Sequence, residues 1–299
     1  MPDRILIIAE IGECWNGDPA RAKRLIEVAA TAGCDYAKFQ ILDRNGIAAD
    51  DPERDWFLSI ALDDATLITQ FRDHARTHGI GFLATPVTRP QAEILAAVGC
   101  EEVKIHSSGL SDDELVDFAA THFRRVFLST GMAELGEIDR AVGRLAAVPD
   151  LYVLHCVSEY PTGPLLEERG LTALRDEDVH LEMMRMLMDR YPHVKVGYSD
   201  HTVGQLAPIV AAAAGARVIE KHITLDRDTP VSRFKKGGPY LGTDHVLSLE
   251  PAELAEMVRN VRATEVMLGS REWRRSPGEL TLRTFLRTRF HHTNPQSAG

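Results

Sequence analysis

The sequence predicts an α/β fold, a (β/α)8 TIM barrel formed by a single domain. Eight short apolar runs alternate with amphipathic segments of helical period, as expected of βα units around a parallel sheet. The length of 299 residues accommodates such a barrel, which commonly uses about 250 residues. A doubly wound open sheet is the alternative, but it would carry a G-x-G-x-x-G turn after its first strand, and neither this motif nor a P-loop is present. Dinucleotide and nucleoside-triphosphate binding are therefore excluded.

The predicted strands are short, rich in Ile, Val, Leu and Phe, and bounded by turn residues. In chain order they are residues 5–9, 36–40, 81–84, 102–105, 125–129, 151–155, 195–199 and 218–222. The predicted helices are residues 19–32, 64–78, 90–98, 111–120, 135–145, 181–191, 205–214 and 251–268. Asp18 and Pro19 form a helix start signal, and Gly33, Gly99 and Gly215 stand where helices are expected to end.

The domain organisation follows from these elements. Residues 1–270 are assigned to the barrel. Residues 271–299 are assigned to a short C-terminal extension, an arginine-rich tail that resembles a linker. The last ten residues of the tail are expected to be disordered. Residues 162–179 and 226–244 are inserted loops after the sixth and eighth strands, and long loops at that end of a barrel are typically functional.

Composition excludes several classes of protein. A net charge of −10 argues against nucleic-acid partners, because phosphate neutralisation needs a basic face. No run of about 18 apolar residues is present to cross a membrane. The N-terminus lacks the pattern of a secretory signal, which predicts a cytoplasmic protein. The cysteines have neither zinc-site nor disulfide spacing and are interpreted as mostly small apolar residues; they are Cys14, Cys34, Cys100 and Cys156.

Polar residues lie at or just past the end of every predicted strand, where a (β/α)8 barrel carries its chemistry. In chain order they are Glu10, Lys38, Gln40, Thr85, Lys104, Ser107, Ser108, Ser129, Thr130, Ser158, Tyr160, Ser199, Asp200, His201, Lys221 and His222. Lys38 and Lys104 fall within apolar runs, where a charge is costly unless an anion compensates it. A phosphate or carboxylate ligand is therefore predicted. A Schiff-base lysine is the competing functional interpretation, and a lysine held in a structural salt bridge is the other alternative.

His201 and His222 end consecutive strands, so their imidazoles are expected to converge. Two histidines with a carboxylate or water leave open positions for a substrate oxygen on a divalent metal, and histidines that serve only the core are the alternative. Glu10, Asp200 and Asp244 are the candidate carboxylates nearby.

These residues lie in blocks by which the chain resembles the sialic acid synthase family over about residues 5–270. The blocks include Ala9-Glu-Ile-Gly12, Ala37-Lys-Phe-Gln40, Val103-Lys-Ile105, Leu128-Ser-Thr-Gly-Met132, Tyr160-Pro-Thr162, Gly197-Tyr-Ser-Asp-His-Thr202, Glu220-Lys-His222 and Asp244-His245. No single block is decisive, and their order and spacing together carry the resemblance.

The resemblance implies a metal-dependent synthase that joins phosphoenolpyruvate to a sugar aldehyde, giving a 2-keto acid and inorganic phosphate. It implies Mn²⁺ or Mg²⁺ on His201 and His222, and a homodimer. Carried over by position, the residues that hold phosphoenolpyruvate are Lys38, Thr85, Lys104, Ser107, Ser129, Ser158, Tyr160 and Ser199. The resemblance places Glu10 beside the reacting oxygens, and Gln40 and Asp244 at the sugar hydroxyls or the outer shell of the metal.

The departures from the family pattern lie on the acceptor side. Cys14-Trp15 replaces Asn-His, and His106-Ser-Ser-Gly109 lacks the usual carboxylate at its last position. The sequence stops before the small antifreeze-like domain of typical bacterial members, so its acceptor-binding arginine is expected to be lost or replaced. Arg233, Lys235 and Lys236 are the candidates for a substitute lid.

Two other functions remain open. The first is a pyruvate aldolase or lyase that uses Lys38 or Lys104 as a Schiff base. The second is a barrel without catalysis that acts as a binding partner, although retention of Glu10, His201 and His222 argues against it.

Overall fold

The computed structural model describes residues 4–44, 47, 49–50, 54–159, 174–228, 233–235, 238–240 and 243–290. Eight strands form one parallel sheet: β1 (Leu6–Glu10), β2 (Tyr36–Ile41), β3 (Gly81–Pro86), β4 (Glu102–Ile105), β5 (Arg125–Ser129), β6 (Asp150–Cys156), β7 (Lys195–Asp200) and β8 (Val218–His222). Their order is β3-β2-β1-β8-β7-β6-β5-β4, and β3 and β4 at the two ends pack side by side. The architecture is a (β/α)8 TIM barrel, which confirms the predicted fold class.

Helices follow the strands in the barrel, and one more helix follows the barrel in the sequence. They are α1 (Pro19–Ala32), α2 (Arg54–Ile60), α3 (Ala65–Thr77), α4 (Arg89–Ala97), α5 (Asp113–His122), α6 (Leu135–Arg144), α7 (Leu181–Arg190), α8 (Leu206–Ala213), α9 (Thr243–Leu247), α10 (Pro251–Leu268) and α11 (Pro277–Phe290). Of these, α2, α9 and α11 are absent from the sequence-based assignment, as is the hairpin of β9 (Arg233–Lys235) and β10 (Gly238–Tyr240).

Local signals explain where the helices begin and end. The Asp18 carboxylate accepts a hydrogen bond from the Ala20 amide, which confirms the predicted cap of α1. Gly33, with a φ of +87°, ends α1 in the left-handed region that glycine adopts without a steric penalty. Helix α5 begins later than predicted, because Asp112 caps it through the amides of Glu114 and Leu115 while the preceding residues form a 3₁₀ turn.

The barrel interior has an apolar layer beneath a polar one. The apolar layer consists of Ile8, Tyr36, Leu83, Phe127, Tyr152, Leu154 and Val218. Side chains of a strand alternate between its two faces, so the residue two positions further along points into the barrel again. From Ile8, Tyr36, Leu83, Phe127, Leu154 and Val218 that step reaches Glu10, Lys38, Thr85, Ser129, Cys156 and Glu220. The opposite strand faces pack against the helices in the main hydrophobic core.

The chain divides near Leu268 into two compact units, of which residues 2–267 form the barrel. The second unit contains α11, in a segment that the sequence analysis interprets as a linker. The last ten residues were predicted to be disordered. Nine of them, positions 291–299, lie outside the described residues. No helix among the described residues is long and apolar enough to span a bilayer.

Candidate active site

A cavity of about 300 Å³ opens at the carboxyl ends of the barrel strands. Its lining includes eleven of the thirteen predicted site residues: Glu10, Lys38, Gln40, Thr85, Lys104, Ser107, Ser129, Ser158, Ser199, His201 and His222. Asp244 lies behind His222, and Tyr160 is outside the described residues. The lining also contains Ser108, which is among the polar residues predicted at the strand ends, and Val87, His106, Met132, Cys156 and Glu220, which are not.

Glu220 is the centre of a buried ion-pair network on the cavity floor. Its Oε1 lies 3.0 Å from Lys38 Nζ and 2.9 Å from Lys104 Nζ, and its Oε2 lies 3.0 Å from Lys104 Nζ. Ser199 Oγ donates to Glu220 Oε1 at 2.9 Å. One carboxylate therefore fixes both lysines that were predicted to bind an anion.

The two lysines differ in their electrostatic surroundings. Burial favours the neutral amine of Lys38, but the carboxylates of Glu10 and Glu220 outweigh it and raise the pKa of Lys38. Burial lowers the pKa of Lys104 despite its contact with Glu220, and the neighbouring charge of Lys38 acts in the same direction. Lys38 shares two carboxylates, which accounts for the opposite shifts.

Buried hydroxyl groups surround the lysines. Thr85 Oγ1 and Ser129 Oγ have no hydrogen-bond partner within the described part of the chain. Because an unsatisfied buried hydroxyl costs free energy, both are suited to donate to a bound anion. Two lysine ammonium groups and two such donors in one cavity fit a ligand that carries phosphate and carboxylate groups.

Gly131 lies against two of the predicted phosphoenolpyruvate ligands. Its amide donates to Ser107 Oγ at 3.1 Å, and a Cβ placed on it would overlap Ser158 Oγ and lie 2.7 Å from Ser107 Oγ. Gly131→Ala is expected to lower kcat/KM for phosphoenolpyruvate by about 10-fold or more and the free energy of unfolding by about 1–3 kcal/mol. Steady-state kinetics and urea denaturation measure the two effects.

Gly143→Ala is the matched control for that substitution. Gly143 lies in α6, and a Cβ there meets nothing within 4 Å among the described residues. The control is expected to raise stability by about 0.5–1 kcal/mol, because alanine favours the helix, without changing kcat/KM. Equal kinetic effects of the two substitutions would contradict the placement of Gly131 at the substrate.

His201 and His222 converge as predicted, with ring centroids 5.4 Å apart and planes inclined by 42°. His201 Nδ1 lies 2.9 Å from the main-chain oxygen of Val157, and His222 Nδ1 lies 3.5 Å from Asp244 Oδ2. A proton on each Nδ1 places the lone pair on Nε2, which is the arrangement of metal-binding histidines with a second oxygen partner. The pair fits a divalent metal held by two imidazoles and by oxygens of water or substrate.

Two carboxylates lie next to this pair. Glu10 accepts a hydrogen bond from Gln40 Nε2 at 3.2 Å and pairs with Lys38 Nζ at 3.1 Å, and burial raises its pKa. Asp244 and Glu13 hold one another: Asp244 Oδ2 accepts from the Glu13 amide, and Glu13 Oε1 accepts from the Asp244 amide, both at 3.2 Å. Asp244 is thereby fixed behind His222.

The structure corrects one candidate carboxylate. Asp200 does not line the cavity; its Oδ2 pairs with Lys221 Nζ at 2.6 Å and it accepts hydrogen bonds from Thr202 and Tyr198. The cause is strand alternation, because Asp200 is adjacent to the inward-facing Ser199 and points to the other face. Asp200 therefore stabilises the barrel wall and is not placed to hold a metal between His201 and His222.

Cys156 also differs from the interpretation of the cysteines as mostly apolar filling. All four cysteines are free thiols, but Cys156 lines the cavity, with Sγ 3.7 Å from His201 Nδ1. The position two residues after the inward-facing Leu154 is the sequence signal that predicts this placement.

The space beside Gly109, where the family pattern has a carboxylate, is occupied. A Cβ on Gly109 would lie 2.8 Å from His106 Nε2, and His106 itself lines the cavity. Ser108 Oγ lies 2.7 Å from His106 Nδ1 and orients the ring. Of the proposed substitute lid, Lys236 lies outside the described residues, and the structure describes only the strand backbone of Arg233 and Lys235.

The chain is similar to known proteins in sequence and in fold. A family model described as the NeuB family matches residues 25–273. The uncharacterized protein MJ1065 of Methanocaldococcus jannaschii is 37% identical over 276 residues, covering 91% of this chain and 74% of that protein. The N,N'-diacetyllegionaminic acid synthase of Campylobacter jejuni is 34% identical over 284 residues, covering 89% and 78%. The crystal structure of N-acetylneuraminic acid (sialic acid) synthetase from Leptospira borgpetersenii, in complex with citrate, has a TM-score of 0.80 and 28% identity, covering 97% of this chain and 94% of that one.

Proposed function

Because the chain belongs to the NeuB family, we propose that it condenses phosphoenolpyruvate with a sugar aldehyde to give a 2-keto-3-deoxy sugar acid and inorganic phosphate. The observation that carries the proposal is the cavity floor beside His201 and His222. Lys38 and Lys104 lie there with the hydroxyls of Thr85 and Ser129, which have no hydrogen-bond partner among the residues that the structure describes. This combination supports an anionic donor and a polarised acceptor in one site.

In the proposed reaction the methylene carbon of the enol double bond of phosphoenolpyruvate forms the new bond to the aldehyde carbon. A water oxygen adds to the carbon that carries the phosphate, and phosphate leaves with its bridging oxygen. Lys38 and Lys104 offset the charge of the donor. Glu10, held by Gln40 and Lys38, is proposed to give a proton to the aldehyde oxygen as it becomes an alkoxide.

We propose that His201 and His222 hold Mn²⁺ or Mg²⁺. The metal, when bound, supplies Lewis-acid polarisation of the aldehyde oxygen. Asp244 orients His222, and the main-chain oxygen of Val157 orients His201. A homodimer and a cytoplasmic setting belong to the same proposal, and light scattering of the purified chain tests the dimer.

The acceptor is proposed to be an aldose of the N-acetylmannosamine type or a related sugar, phosphorylated or not. Two similar proteins, a diacetyllegionaminic acid synthase and a sialic acid synthetase, support an amino-sugar acceptor. His106 stands where the family pattern places a carboxylate, which favours an acceptor that differs from theirs on that side.

The decisive experiment measures phosphate release from phosphoenolpyruvate in the presence of Mn²⁺ and a panel of hexosamines, hexoses, pentoses and their phosphates. We expect release that depends on both an aldose and the metal, and a product with the mass of phosphoenolpyruvate plus aldose plus water minus phosphoric acid. Chelation of the metal is expected to abolish release. Absence of acceptor-dependent release across the whole panel would overturn the proposal.

A Schiff-base pyruvate aldolase is the second candidate, and the lowered pKa of Lys104 is the observation that favours it. Borohydride in the presence of pyruvate would trap an adduct on Lys104 or Lys38 in that case. We expect no adduct, since both amines are engaged by Glu220.

A further inference from the structure

The outer wall of the barrel contains a second group of metal-ligating side chains, none of which lines the cavity. Helices α1 and α3 pack against each other there. Glu27 belongs to α1, His74 to α3, and His78 is the C-cap of α3. One ligand atom from each of the three lies within 4.8 Å of the other two, and no other set of three His, Cys, Asp or Glu side chains among the described residues meets this condition.

Helical geometry explains the approach of the two imidazoles. Residues four apart lie on the same face of a helix, so His74 and His78 are neighbours, with ring centroids 4.5 Å apart. Glu27 faces them from α1, with Oε1 3.3 Å from His74 Nε2. His78 Nδ1 lies 3.0 Å from the main-chain oxygen of His74, which places the proton on Nδ1 and the lone pair on Nε2.

We propose that Glu27, His74 and His78 form a binding site for a divalent transition metal of the Zn²⁺ class, separate from the reaction cavity. Two imidazole nitrogens and one carboxylate oxygen form a donor set that Zn²⁺ favours over Mg²⁺ or Mn²⁺, and three protein ligands leave a fourth position for water. The site takes its ligands from two helices, so the metal ties α1 to α3.

The surroundings keep the carboxylate ready to bind. Arg24 Nη1 lies 3.0 Å from Glu27 Oε2, on the oxygen that does not face His74. Arg24, together with His74, lowers the pKa of Glu27 although burial opposes the shift. The Arg24 guanidinium therefore orients the carboxylate. Its positive charge also repels a metal ion bound nearby and so weakens binding.

Binding is expected to stabilise the barrel, because a metal that binds the native chain shifts the unfolding equilibrium. At a Zn²⁺ concentration of about 100 times the dissociation constant, we expect the Tm to rise by about 5 °C or more. The catalytic activity with Mn²⁺ is expected to be unchanged, since none of the three residues lines the cavity.

The test uses the full chain stripped of metal with a chelator and titrated with Zn²⁺ by isothermal calorimetry. The His74→Ala, His78→Ala double variant is expected to bind one Zn²⁺ fewer than the unaltered chain and to lose the Zn²⁺-induced rise in Tm. Glu27→Gln is expected to weaken that site by about 10-fold or more. Arg24→Ala is the matched control, which removes a neighbour of Glu27 but no ligand and is expected to keep the site.

The absorption of Co²⁺ in place of Zn²⁺ identifies the ligands independently of stability. We expect visible bands of a four-coordinate ion that decrease in the double variant and persist in His201→Ala. An equal Zn²⁺ stoichiometry for the double variant and the unaltered chain would overturn the proposal. So would loss of all Zn²⁺ binding from His201→Ala, because the ion would then belong to the cavity.

Discussion

Replacing Glu220 by glutamine is expected to lower kcat/KM for phosphoenolpyruvate by about 100-fold or more. Glu220 contacts both lysines and Ser199, so the substitution releases three donor groups from their fixed positions. About 2.7 kcal/mol of lost transition-state stabilisation corresponds to that factor. Glu220→Ala is expected to cost about 3–5 kcal/mol of the free energy of unfolding in addition, because the buried ammonium of Lys104 loses its counter-charge and that of Lys38 keeps only Glu10. Phosphate release and urea denaturation measure the two effects.

Glu102→Gln is the matched control for Glu220→Gln. Glu102 begins the strand that carries Lys104 and pairs with Arg125 Nη1 at 2.7 Å, at the end of the barrel opposite the cavity. The control is expected to lower stability modestly and to leave kcat/KM unchanged. If Glu220→Gln retained full kcat/KM, Glu220 would have a purely structural role in the barrel.

The sequence predicts most of the barrel because the signals are local. Alternating apolar runs and amphipathic segments identify the strands, and polar residues at the strand ends identify the mouth where Glu10, Lys38 and His222 converge. Short elements were not predicted. Helices α2 and α9 and the β9–β10 hairpin have too few residues to show a periodic pattern, and they lie within segments that read as loops.

The predicted site is incomplete for a different reason. A polar residue near a strand end can face the barrel interior or the helices, and that choice depends on the register of the strand. Glu220 and Asp200 show both outcomes: Glu220 faces inward from β8, two residues before His222, while Asp200 faces outward from β7 and pairs with Lys221. Counting in steps of two from the inward-facing Val218 would have found Glu220.

The acceptor side depends on packing that no local pattern reveals. Gly109 has no side chain, and His106 fills the space beside it. The two departures from the family pattern, at positions 106 and 109, are therefore coupled by packing. Ser108 fixes the His106 ring through Nδ1. We propose that His106 contacts the acceptor sugar as a hydrogen-bonding group in place of the carboxylate. The aldose panel is measured with the unaltered chain and with His106→Ala. We expect the variant to change the preference among acceptors and to keep the same KM for phosphoenolpyruvate.

His201→Ala and His222→Ala are each expected to abolish measurable Mn²⁺ binding in the cavity and to lower kcat by about 1,000-fold or more. Each substitution removes one of the two imidazoles that are proposed to hold the metal. Loss of a bound Lewis acid costs several kcal/mol of transition-state stabilisation, and about 4 kcal/mol corresponds to that factor. Calorimetric titration with Mn²⁺ and phosphate release measure binding and rate separately.

His155→Gln separates this effect from the loss of any buried histidine. His155 lies on β6, is buried like His201, and its Nε2 donates to the main-chain oxygen of Val179 at 2.8 Å, but it does not line the cavity. The control is expected to lower stability and to keep both Mn²⁺ binding and kcat. If His155→Gln removed Mn²⁺ binding as completely as His222→Ala, the loss would reflect disturbance of the barrel. If only the two cavity histidines are needed for Mn²⁺ binding and kcat, the metal acts where Glu10, Lys38 and the donor hydroxyls converge. The class of reaction then follows from that site, whichever sugar is the acceptor.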